Sequence, residues 1–252
     1  MGGALSLVLP GLGLLMAMTM LWWLGVALHR RADDGSQTAG ESYVLSGAFG
    51  LLALLMAFAF SLAIGRYETR RLLVIDEANA IGTMATRLAL LEDGQRAMLG
   101  SKLAHYARQR ADVGKYAADA AWQAAHDRSA RECAAFGDAL LAVLRAMPPD
   151  TRGPVLVQAY NAMCDITTTR HAARLARLPS EVLLLLAFYC CACTALLGFT
   201  TGRADRRSLI SALLFFALLS AAYVTILDLD SPRSGAILVP QEELDSVAQS
   251  LG

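Results

Sequence analysis

Four long stretches of the chain contain no aspartate, glutamate, lysine or arginine, and this feature constrains the fold more than any other. The charge-free stretches are 1–28, 43–65, 182–202 and 208–227. Each has about the 20 residues that a helix rising 1.5 Å per residue needs to cross a hydrocarbon core roughly 30 Å thick. A helix satisfies its backbone hydrogen bonds within one segment, as a chain in lipid must. The sequence therefore predicts four membrane-spanning helices, at about 5–28, 43–65, 181–202 and 208–228.

The composition excludes several classes of protein as the default. Charged residues make up 17% of the 252 residues, against roughly 25% in soluble domains, so part of the chain does not face water. The 22 basic side chains are balanced by 22 acidic ones, whereas binding to nucleic acid needs a basic surface. Five cysteines are too few for a disulfide scaffold. We expect a membrane protein whose main partner is the lipid bilayer and which binds no nucleic acid.

A cleaved signal peptide is the alternative for the first stretch. Basic residues are missing from its start, and its apolar run exceeds the roughly 7–15 residues of a signal peptide's hydrophobic region. We therefore expect this stretch to remain in the protein as the first span.

The longest polar segment, residues 66–181, separates the second span from the third and carries 16 basic and 13 acidic side chains. Its frequent alanine, leucine, arginine and glutamine favour helix. Breaks near 92–94, 114 and 147–154 predict helices at about 67–91, 95–112, 118–147 and 154–178. We expect an all-α protein divided into spans 1 and 2 (1–65), a helical domain (66–180), spans 3 and 4 (181–228) and a tail (229–252).

The arginines next to the spans predict the side of the membrane on which the helical domain lies. Four spans place both termini and the domain on one side, which has seven such arginines against five opposite, and this favours a cytoplasmic domain. The seven are Arg66, Arg70, Arg71, Arg170, Arg174, Arg177 and Arg233, and the five are Arg30, Arg31, Arg203, Arg206 and Arg207. We expect a multi-pass protein of the bacterial inner membrane, with its domain and both termini in the cytoplasm.

An acidic residue interrupts the apolar face of the helix predicted over 67–91. At 3.6 residues per turn, that face carries Leu73, Val74, Ile81, Met84, Leu88 and Leu91. Glu77 falls at its centre, with Arg66 and Arg70 nearer the membrane. Arg70 and Glu77 are about 10 Å apart along the helix axis, too far to pair. Glu77 is therefore expected to pair with an arginine from another helix or another subunit.

The helix predicted over 154–178 supplies candidate partners for Glu77. Four of its residues recur every seven positions, namely Leu156, Met163, Arg170 and Arg177. Arg174 lies close to the same face. We hypothesise a partly buried ion pair between Glu77 and either Arg170 or Arg174. The alternative is that these charges lie on a solvated face or extend their side chains into water.

Two carboxylates, Asp228 and Asp230, directly follow the fourth span and precede a turn-forming sequence that contains Arg233. Their oxygens suit a hard cation such as Ca²⁺. They equally suit arginine and backbone N–H groups that would hold the tail, and we favour this structural role while the metal stays open. Residues 236–239 then form an apolar, strand-like run, and 240–251 are predicted to form a small amphipathic helix.

Three motifs carry a resemblance that covers nearly the whole chain. The first is residues 66–83, which end in EANAIGT and include Glu77 and Asn79. The second is 161–179, with characteristically spaced residues Asn161, Asp165, Arg170 and Pro179. The third is DLDSPRSG at 228–235. With its two pairs of spans, the chain resembles a bacterial family of bestrophin-like membrane proteins of unknown function.

The resemblance implies an activity through the bestrophins, which are pentameric anion channels with cytosolic helical domains and a pore lined by the second span. It implies a homo-oligomer, an anion as the permeating species and a pore along one face of 43–65. Candidate hydrophobic constrictions, which gate by dewetting, are Phe49, Phe58 and Phe60. Ser61 and Arg66 would contact an anion at the mouth. The alternative is that these phenylalanines face lipid or pack against other spans.

Sequence motifs of enzymes are absent. The chain contains no P-loop, no G-x-S-x-G and no H-E-x-x-H, and its four histidines lack ligand spacing. Cys190, Cys191 and Cys193 in the third span have the chemistry to bind a soft metal, but free cysteines more often pack as small apolar residues. We expect no catalytic residues and no cofactor. The alternative to a channel is a non-conducting membrane scaffold or sensor whose helical domain binds a partner.

Overall fold

A computed structural model describes residues 2–31, 39–116, 119–202, 205–232 and 235–252. Within these ranges the chain forms helices and no β-strand. The helices are α1 (Gly2–Arg31), α2 (Ala39–Leu88), α3 (Asp93–Val113), α4 (Asp119–Ala146), α5 (Arg152–Leu175), α6 (Ser180–Thr201), α7 (Arg206–Asp230) and α8 (Glu242–Ser250). Four segments contain an apolar stretch long enough to cross a membrane: Val8–Arg31, Ser42–Leu88, Arg152–Thr201 and Arg206–Asp230. The third segment comprises both α5 and α6. The predicted all-α fold with four apolar spans is confirmed.

The second span and the first domain helix form one continuous helix, α2, of 50 residues. No proline interrupts the sequence between 43 and 88, so every backbone N–H can donate within the helix. A single glycine such as Gly65 weakens a helix without ending it. The helix ends at Leu88, shortly before the predicted break at 92–94.

The chain divides into two compact units, and α2 contributes residues to both. The first unit comprises Met1–Tyr67 and Arg177–Leu238, and the second comprises Glu68–Ala176 and Val239–Gly252. In the first unit α1 packs along α6 and α7. Its core contains buried apolar side chains from all four of its helices, among them Met18, Trp22, Leu52, Cys190, Phe216 and Ile226.

Glycines allow α1 and α6 to approach each other closely. A Cβ atom on Gly25 of α1 would overlap the backbone of Ala195 and Phe199, and one on Gly198 of α6 would overlap the backbone of Trp22. Lipid tails are as apolar as the helices, so helices in a bilayer associate largely through van der Waals packing, which small residues favour. The two glycines therefore determine how near these two spans lie.

Substitution of Gly25 by leucine should destabilise the first unit, because the new side chain would force α1 away from α6. Overpacking of this kind costs about 1–3 kcal/mol. We expect Gly25→Leu to lower the thermal unfolding midpoint of the detergent-purified protein by several degrees. Gly13→Leu is the matched control on the same helix, since no atom of the described residues lies within 4 Å of a Cβ at Gly13. Equal midpoints for the two variants would contradict the close approach.

The second unit has an apolar core whose residues follow the helical period. In α3 the buried side chains include Leu99, Leu103, Tyr106, Arg110 and Val113, and in α5 they are Leu156, Ala159, Met163 and Thr167. The spacing of three or four residues puts each set on one face. α3 packs on α4 and α8, and α4 packs on α5. One apolar face from each helix thus meets in a common core.

Two details of the predicted secondary structure were wrong. The apolar run at 236–239 forms no strand and instead leads irregularly into α8. α5 ends at Leu175 rather than at 178, and Ala176 has an extended conformation. A residue directly before a proline avoids helical backbone angles, so the chain must leave the helix before Pro179.

Candidate functional site

Glu77 lies in the core of the second unit with none of its surface exposed. It occupies the apolar face of α2 between Val74 and Ile81, which are both buried. A carboxylate in such surroundings is costly unless charged partners and hydrogen bonds replace the lost water. The neighbouring helices must therefore supply those partners.

Two arginines from different helices bind the two oxygens of this carboxylate. Arg110 of α3 donates from Nε to Glu77 Oε1, and Arg170 of α5 donates from Nη1 to Oε2. The Arg110 side chain is 2% exposed and the Arg170 side chain 14%, so water screens these ion pairs little. We call Glu77, Arg110 and Arg170 the charge cluster.

Polar side chains from the other two helices of the unit complete the hydrogen bonding of the charge cluster. Ser129 of α4 accepts a hydrogen bond from Arg110 Nη1 at 3.0 Å. Gln241, the residue before α8, accepts one from Arg170 Nη2 through its side-chain oxygen. Gln241 also lies against Gly114, where a Cβ atom would overlap it. The charge cluster therefore joins α2, α3, α4, α5 and the start of α8.

The electrostatics of the charge cluster keep Glu77 ionised. Burial by itself raises the pKa of this carboxyl, but the guanidiniums of Arg110 and Arg170 outweigh burial and hold the pKa below its usual range. Thr167 Oγ1 lies 3.4 Å from Glu77 Oε1. One carboxylate faces two guanidiniums, which leaves the charge cluster with one net positive charge.

The structure brings together some of the predicted charged residues. The ion pair between Glu77 and Arg170 is present. Arg174, the other candidate partner, instead places its guanidinium 4.5 Å from the ring centre of Trp122, a cation–π arrangement. The two arginines are four residues apart and so lie near each other on α5, but their side chains contact different helices.

Sequence reasoning missed Arg110, the second partner of Glu77. It lies in the polar sequence Arg108-Gln109-Arg110, which resembles a solvated surface. The spacing could have revealed it, because Leu99, Leu103 and Tyr106 form an apolar stripe that continues to position 110. A charge on the apolar stripe of one helix indicates a complementary charge on another.

Arg70 and Arg87 of α2 bind carbonyl groups at opposite ends of α5. Arg70, which is buried, donates to the carbonyl oxygens of Ala173 and Ala176 at 3.2 and 2.7 Å. Arg87 donates to the carbonyl of Val155 at 2.8 Å. The last carbonyls of a helix lack partners within the helix and carry partial negative charge. Arg70 therefore stabilises the carboxyl end of α5.

Three further residues of the family-like motifs lie away from the charge cluster. Asn79, Asn161 and Asp165 are exposed on the second unit. Asn79 lines an open groove between α2 and α8 together with Gly82, Thr83 and Glu242. Their side chains are therefore accessible within a single chain, and their roles stay predictions.

The two carboxylates expected to follow the fourth span lie in the last turn of α7, which ends at Asp230 rather than at 228. They accept hydrogen bonds from backbone N–H groups. Asp228 accepts them from Ala236 and Ile237 at 2.9 to 3.2 Å, and Asp230 accepts one from Leu178 at 2.9 Å. Both aspartates are buried. This arrangement supports the structural role. Among the described residues no three His, Cys, Asp or Glu side chains are grouped to hold a metal ion, and Arg233 lies outside the described residues.

The three phenylalanines suggested for the pore lie on different faces of α2. Phe49 and Phe60 are about 20° apart around the helix, whereas Phe58 is about 160° from Phe60. Phe49 packs edge to face on Phe215 of α7, with 5.3 Å between ring centres. Phe58 is 59% exposed and Phe60 39%. The three side chains therefore cannot all line a single narrow path.

The face of α2 that carries Phe58 is largely uncovered by the described part of the first unit. The opposite face packs into the core through Leu52, Ala59 and Ala63. Around Phe58 the exposed positions include Leu54 and Ser61, followed by the half-buried Arg66 at the end of the span. Gly47 and Gly50 lie on the same side, where a Cβ atom would meet no described atom within 4 Å. We call this surface, made of Gly47, Gly50, Leu54, Phe58 and Ser61, the outer face of α2.

An aromatic stack lies near the charge cluster. Trp122 and His126 of α4 stack with His171 of α5, with ring centres 4.6 to 5.1 Å apart. The Nδ1 atoms of both histidines are buried, and no described residue forms a hydrogen bond with either. Burial and the nearby Arg110 lower the pKa of His126 from its usual 6.5. The fold therefore favours the neutral form of His126.

Removal of the Glu77 charge should destabilise the protein strongly, because two buried guanidiniums would lose their counter-ion. Breaking a buried pair in this way costs about 3–5 kcal/mol, so we expect Glu77→Gln to lower the unfolding midpoint by roughly 10 °C. Arg170→Met should cost less, since it leaves one balanced pair between Glu77 and Arg110. A midpoint lowered more by Arg170→Met than by Glu77→Gln would contradict this charge balance.

The control for Glu77→Gln is Glu68→Gln. Glu68 forms an exposed pair with Arg71 at 3.3 Å within α2, and such pairs contribute about 0.5 kcal/mol or less to stability.

Exchange of the two charges in the double variant Glu77→Arg with Arg170→Glu should not restore stability. The arginine introduced at position 77 would face Arg110, a residue that a two-residue swap leaves unchanged.

Acidification should destabilise the second unit through His126. Its folded pKa is lowered, so the stability that depends on neutral His126 is complete above the unfolded pKa near 6.5 and is lost as the pH falls through the folded pKa. Arg110 and His171 disfavour the charged form, while Asp127 and Glu77 favour it weakly. When the pH is lowered from about 7.5 to 5.5, the thermal unfolding midpoint of the unmodified protein should fall. The midpoint of His126→Phe should fall by less over the same pH range.

The exposed His105 provides the matched control. Its ring lies on the surface of α3, 3.0 Å from Gln109 and 3.8 Å from Glu132, so His105→Phe controls for the replacement of a histidine outside the stack. Identical pH dependence in His126→Phe and the unmodified protein would contradict the role of the stack.

Comparison with known sequences gives a family match over most of the chain. The model of the bestrophin-like domain matches residues 12–244. None of the curated proteins compared with the chain matches it. The matched range contains most of α1, the whole of α2, α6 and α7, and the charge cluster.

Comparison with solved structures finds the same fold in a bacterial bestrophin homolog from Klebsiella pneumoniae. One point variant of that protein has a TM-score of 0.74 at 13% identity, with 98% of this chain and 97% of that chain covered. The homolog solved by zinc anomalous phasing has a TM-score of 0.69 at 13% identity, with 95% and 96% covered. At this identity the likeness shows a shared fold along the whole of both chains.

Proposed function

Because this chain belongs to the bestrophin-like family, we propose that it is a passive anion channel assembled from several copies around a central axis. It is an integral membrane protein, and the bestrophins that it resembles conduct anions through an axial pore. The proposal assigns the pore to the outer face of α2, with the other spans between this helix and the lipid. A ring of five copies is the arrangement that the resemblance implies.

The outer face of α2 is the observation that carries the proposal. The α2 span has the smallest buried share of the four apolar segments. Gly47, Gly50 and Ser61 on that face are small, and small residues let neighbouring helices or a narrow water path come close. A helix surface made for lipid alone needs no such residues. The outer face therefore suits contact with other copies around an axis.

Phe58 and Arg66 have distinct proposed roles along this path. Phe58 is the aromatic residue of the outer face, so a ring of Phe58 side chains would form a hydrophobic constriction that gates by dewetting. Arg66 ends the span, half-buried and about 80° around the helix from Phe58. We assign its long side chain to the mouth of the path, where a ring of guanidiniums would raise the local concentration of anions. Phe49 packs on Phe215 of α7, and Phe60 lies about 160° around the helix from Phe58, so neither is assigned to the path.

The flux of anions into liposomes tests these assignments. We expect Phe58→Ala to increase chloride flux several-fold by removing the constriction. Phe60→Ala is the matched control two residues away on the other side of α2, and it should change the flux by less than about twofold. Arg66→Ala should reduce the flux, more strongly at low ionic strength because salt screens the guanidinium. Equal effects of Phe58→Ala and Phe60→Ala, or no flux above that of empty liposomes, would contradict the proposal.

The number of copies distinguishes the channel from the alternative of a non-conducting scaffold or sensor. The open groove between α2 and α8 favours the alternative, because it offers Asn79, Thr83 and Glu242 to a partner. Native mass spectrometry in detergent should give a pentamer for the channel. A monomer or a two-fold dimer without flux would favour the scaffold.

We further propose that the helical domain and both termini lie in the cytoplasm of a bacterial cell, with the protein in the inner membrane. The support is the modest excess of arginine on that side of the spans. Reporter domains fused after Arg31 and after Gly252 should fall in opposite compartments, the second in the cytoplasm. The same compartment for both would contradict four spans.

A further inference from the structure

Two cysteines from different helices of the second unit lie in contact. Cys133 of α4 and Cys164 of α5 have 3.0 Å between their sulfur atoms, and both are free thiols. They are separated by 31 positions in sequence, so the contact results from the packing of α4 on α5. The remaining cysteines, Cys190, Cys191 and Cys193, lie in α6. The two sulfur atoms are therefore close enough to be joined as a disulfide when an oxidant is present.

The packing of α4 on α5 holds the two thiols in place. Cys133 is 7% exposed and lies on the buried face of α4 near Phe136. Tyr160, one turn before Cys164, packs against Gly137, where a Cβ atom would overlap its ring. The rings of Phe136 and Tyr160 have centres 6.2 Å apart. Neither thiol therefore needs a helix to move in order to meet the other.

The two thiols differ in accessibility and in acidity. Cys164 is partly exposed, whereas Cys133 is buried. The hydrogen bond from Cys133 lowers the pKa of Cys164 to about 7, against the opposing effect of burial. The same contact and burial raise the pKa of Cys133. A reactive cysteine is an accessible thiolate, and a redox-sensitive one has a second cysteine beside it.

We propose that Cys133 and Cys164 form a reversible redox site that exchanges with a disulfide-containing oxidant of the glutathione type. The Cys164 thiolate attacks one sulfur of the oxidant, whose S–S bond breaks and releases one thiolate, which takes up a proton. Cys133 then loses its proton and attacks the Cys164 sulfur, which expels the second thiolate. Two protein thiols and one small disulfide thus give one protein disulfide and two small thiols.

The disulfide would connect α4 and α5 covalently. A crosslink that closes a loop of this length restricts the unfolded chain, and the native contact requires little rearrangement. We therefore expect oxidation to stabilise the second unit. This site does not depend on whether the protein conducts anions, since both cysteines belong to the second unit and the proposed pore uses the outer face of α2 in the first.

The experiment uses the full chain, purified in detergent, reduced and freed of reductant. After treatment with oxidised glutathione and acid quenching, alkylation should label two fewer cysteines than in the untreated protein, and peptide mapping should link 133 to 164. The unfolding midpoint should rise by about 5 °C or more, and dithiothreitol should reverse both changes. Alkylation of Cys164 in the reduced protein should have a midpoint near pH 7.

Single variants distinguish the roles of the two thiols. Cys133→Ser should stop the reaction at the mixed disulfide, seen as one added glutathione on Cys164. Cys164→Ser should abolish the fast reaction, and Cys190→Ser is the control that keeps it. Each serine variant should match the reduced protein in midpoint to within a few degrees, which shows that loss of reaction is not loss of fold.

Three results would overturn the proposal. The first is equal alkylation of Cys133 and Cys164 with and without the oxidant. The second is a disulfide that involves the α6 cysteines or joins two chains. The third is stoichiometric binding of Cd²⁺ by the pair together with resistance to oxidised glutathione, since that would make the two thiols ligands of a soft metal.

Discussion

The contact of one buried carboxylate with two guanidiniums organises the second unit. Glu77 would be costly in an apolar core by itself, and so would Arg110. Together they and Arg170 replace the water that each has lost, and Ser129 and Gln241 accept further hydrogen bonds from the guanidiniums. Such a cluster tolerates few alternative packings, because any shift of one helix would leave a buried charge without its partner. If the helices met through apolar contacts alone, a shift of α3 or α5 along α2 would cost less free energy than it does with the charge cluster.

The first unit depends on a different constraint. Its helices satisfy their own backbone, so packing needs few polar interactions between them. Two such hydrogen bonds among the described residues run from Ser220 to the carbonyl of Gly11 at 2.7 Å and from Tyr223 to that of Leu183 at 3.3 Å. Close packing at Gly25 and Gly198 takes the place of charge pairing. The two aspartates in the last turn of α7 accept hydrogen bonds from the backbone on either side, at Leu178 and at Ala236.

The proposed pore and the proposed redox site draw on different properties of the same fold. The outer face of α2 is a surface that the described part of a single chain leaves exposed. Its proposed role in lining a pore requires neighbouring copies. The Cys133–Cys164 contact is complete within one chain, since α4 and α5 already bring the two sulfurs together. Neither feature uses the charge cluster directly, which leaves Glu77, Arg110 and Arg170 as the structural centre of the unit.

The amino-acid sequence was enough to predict the all-α fold and the four apolar spans, because a charge-free run of about 20 residues has one stable form in lipid. It also indicated that Glu77 needs a partner, since the helical period puts that residue on an apolar face. The identity of those partners became clear from the packing of the helices in three dimensions. The polar sequence around Arg110 is typical of a solvated surface. Arg170 and Arg174 were equally plausible partners by their positions on α5, but in the structure Arg174 packs on Trp122 and Arg170 pairs with Glu77. The reason is that periodicity reports which face of a helix a residue occupies, whereas contacts depend on the distance and register between helices, which no local pattern encodes.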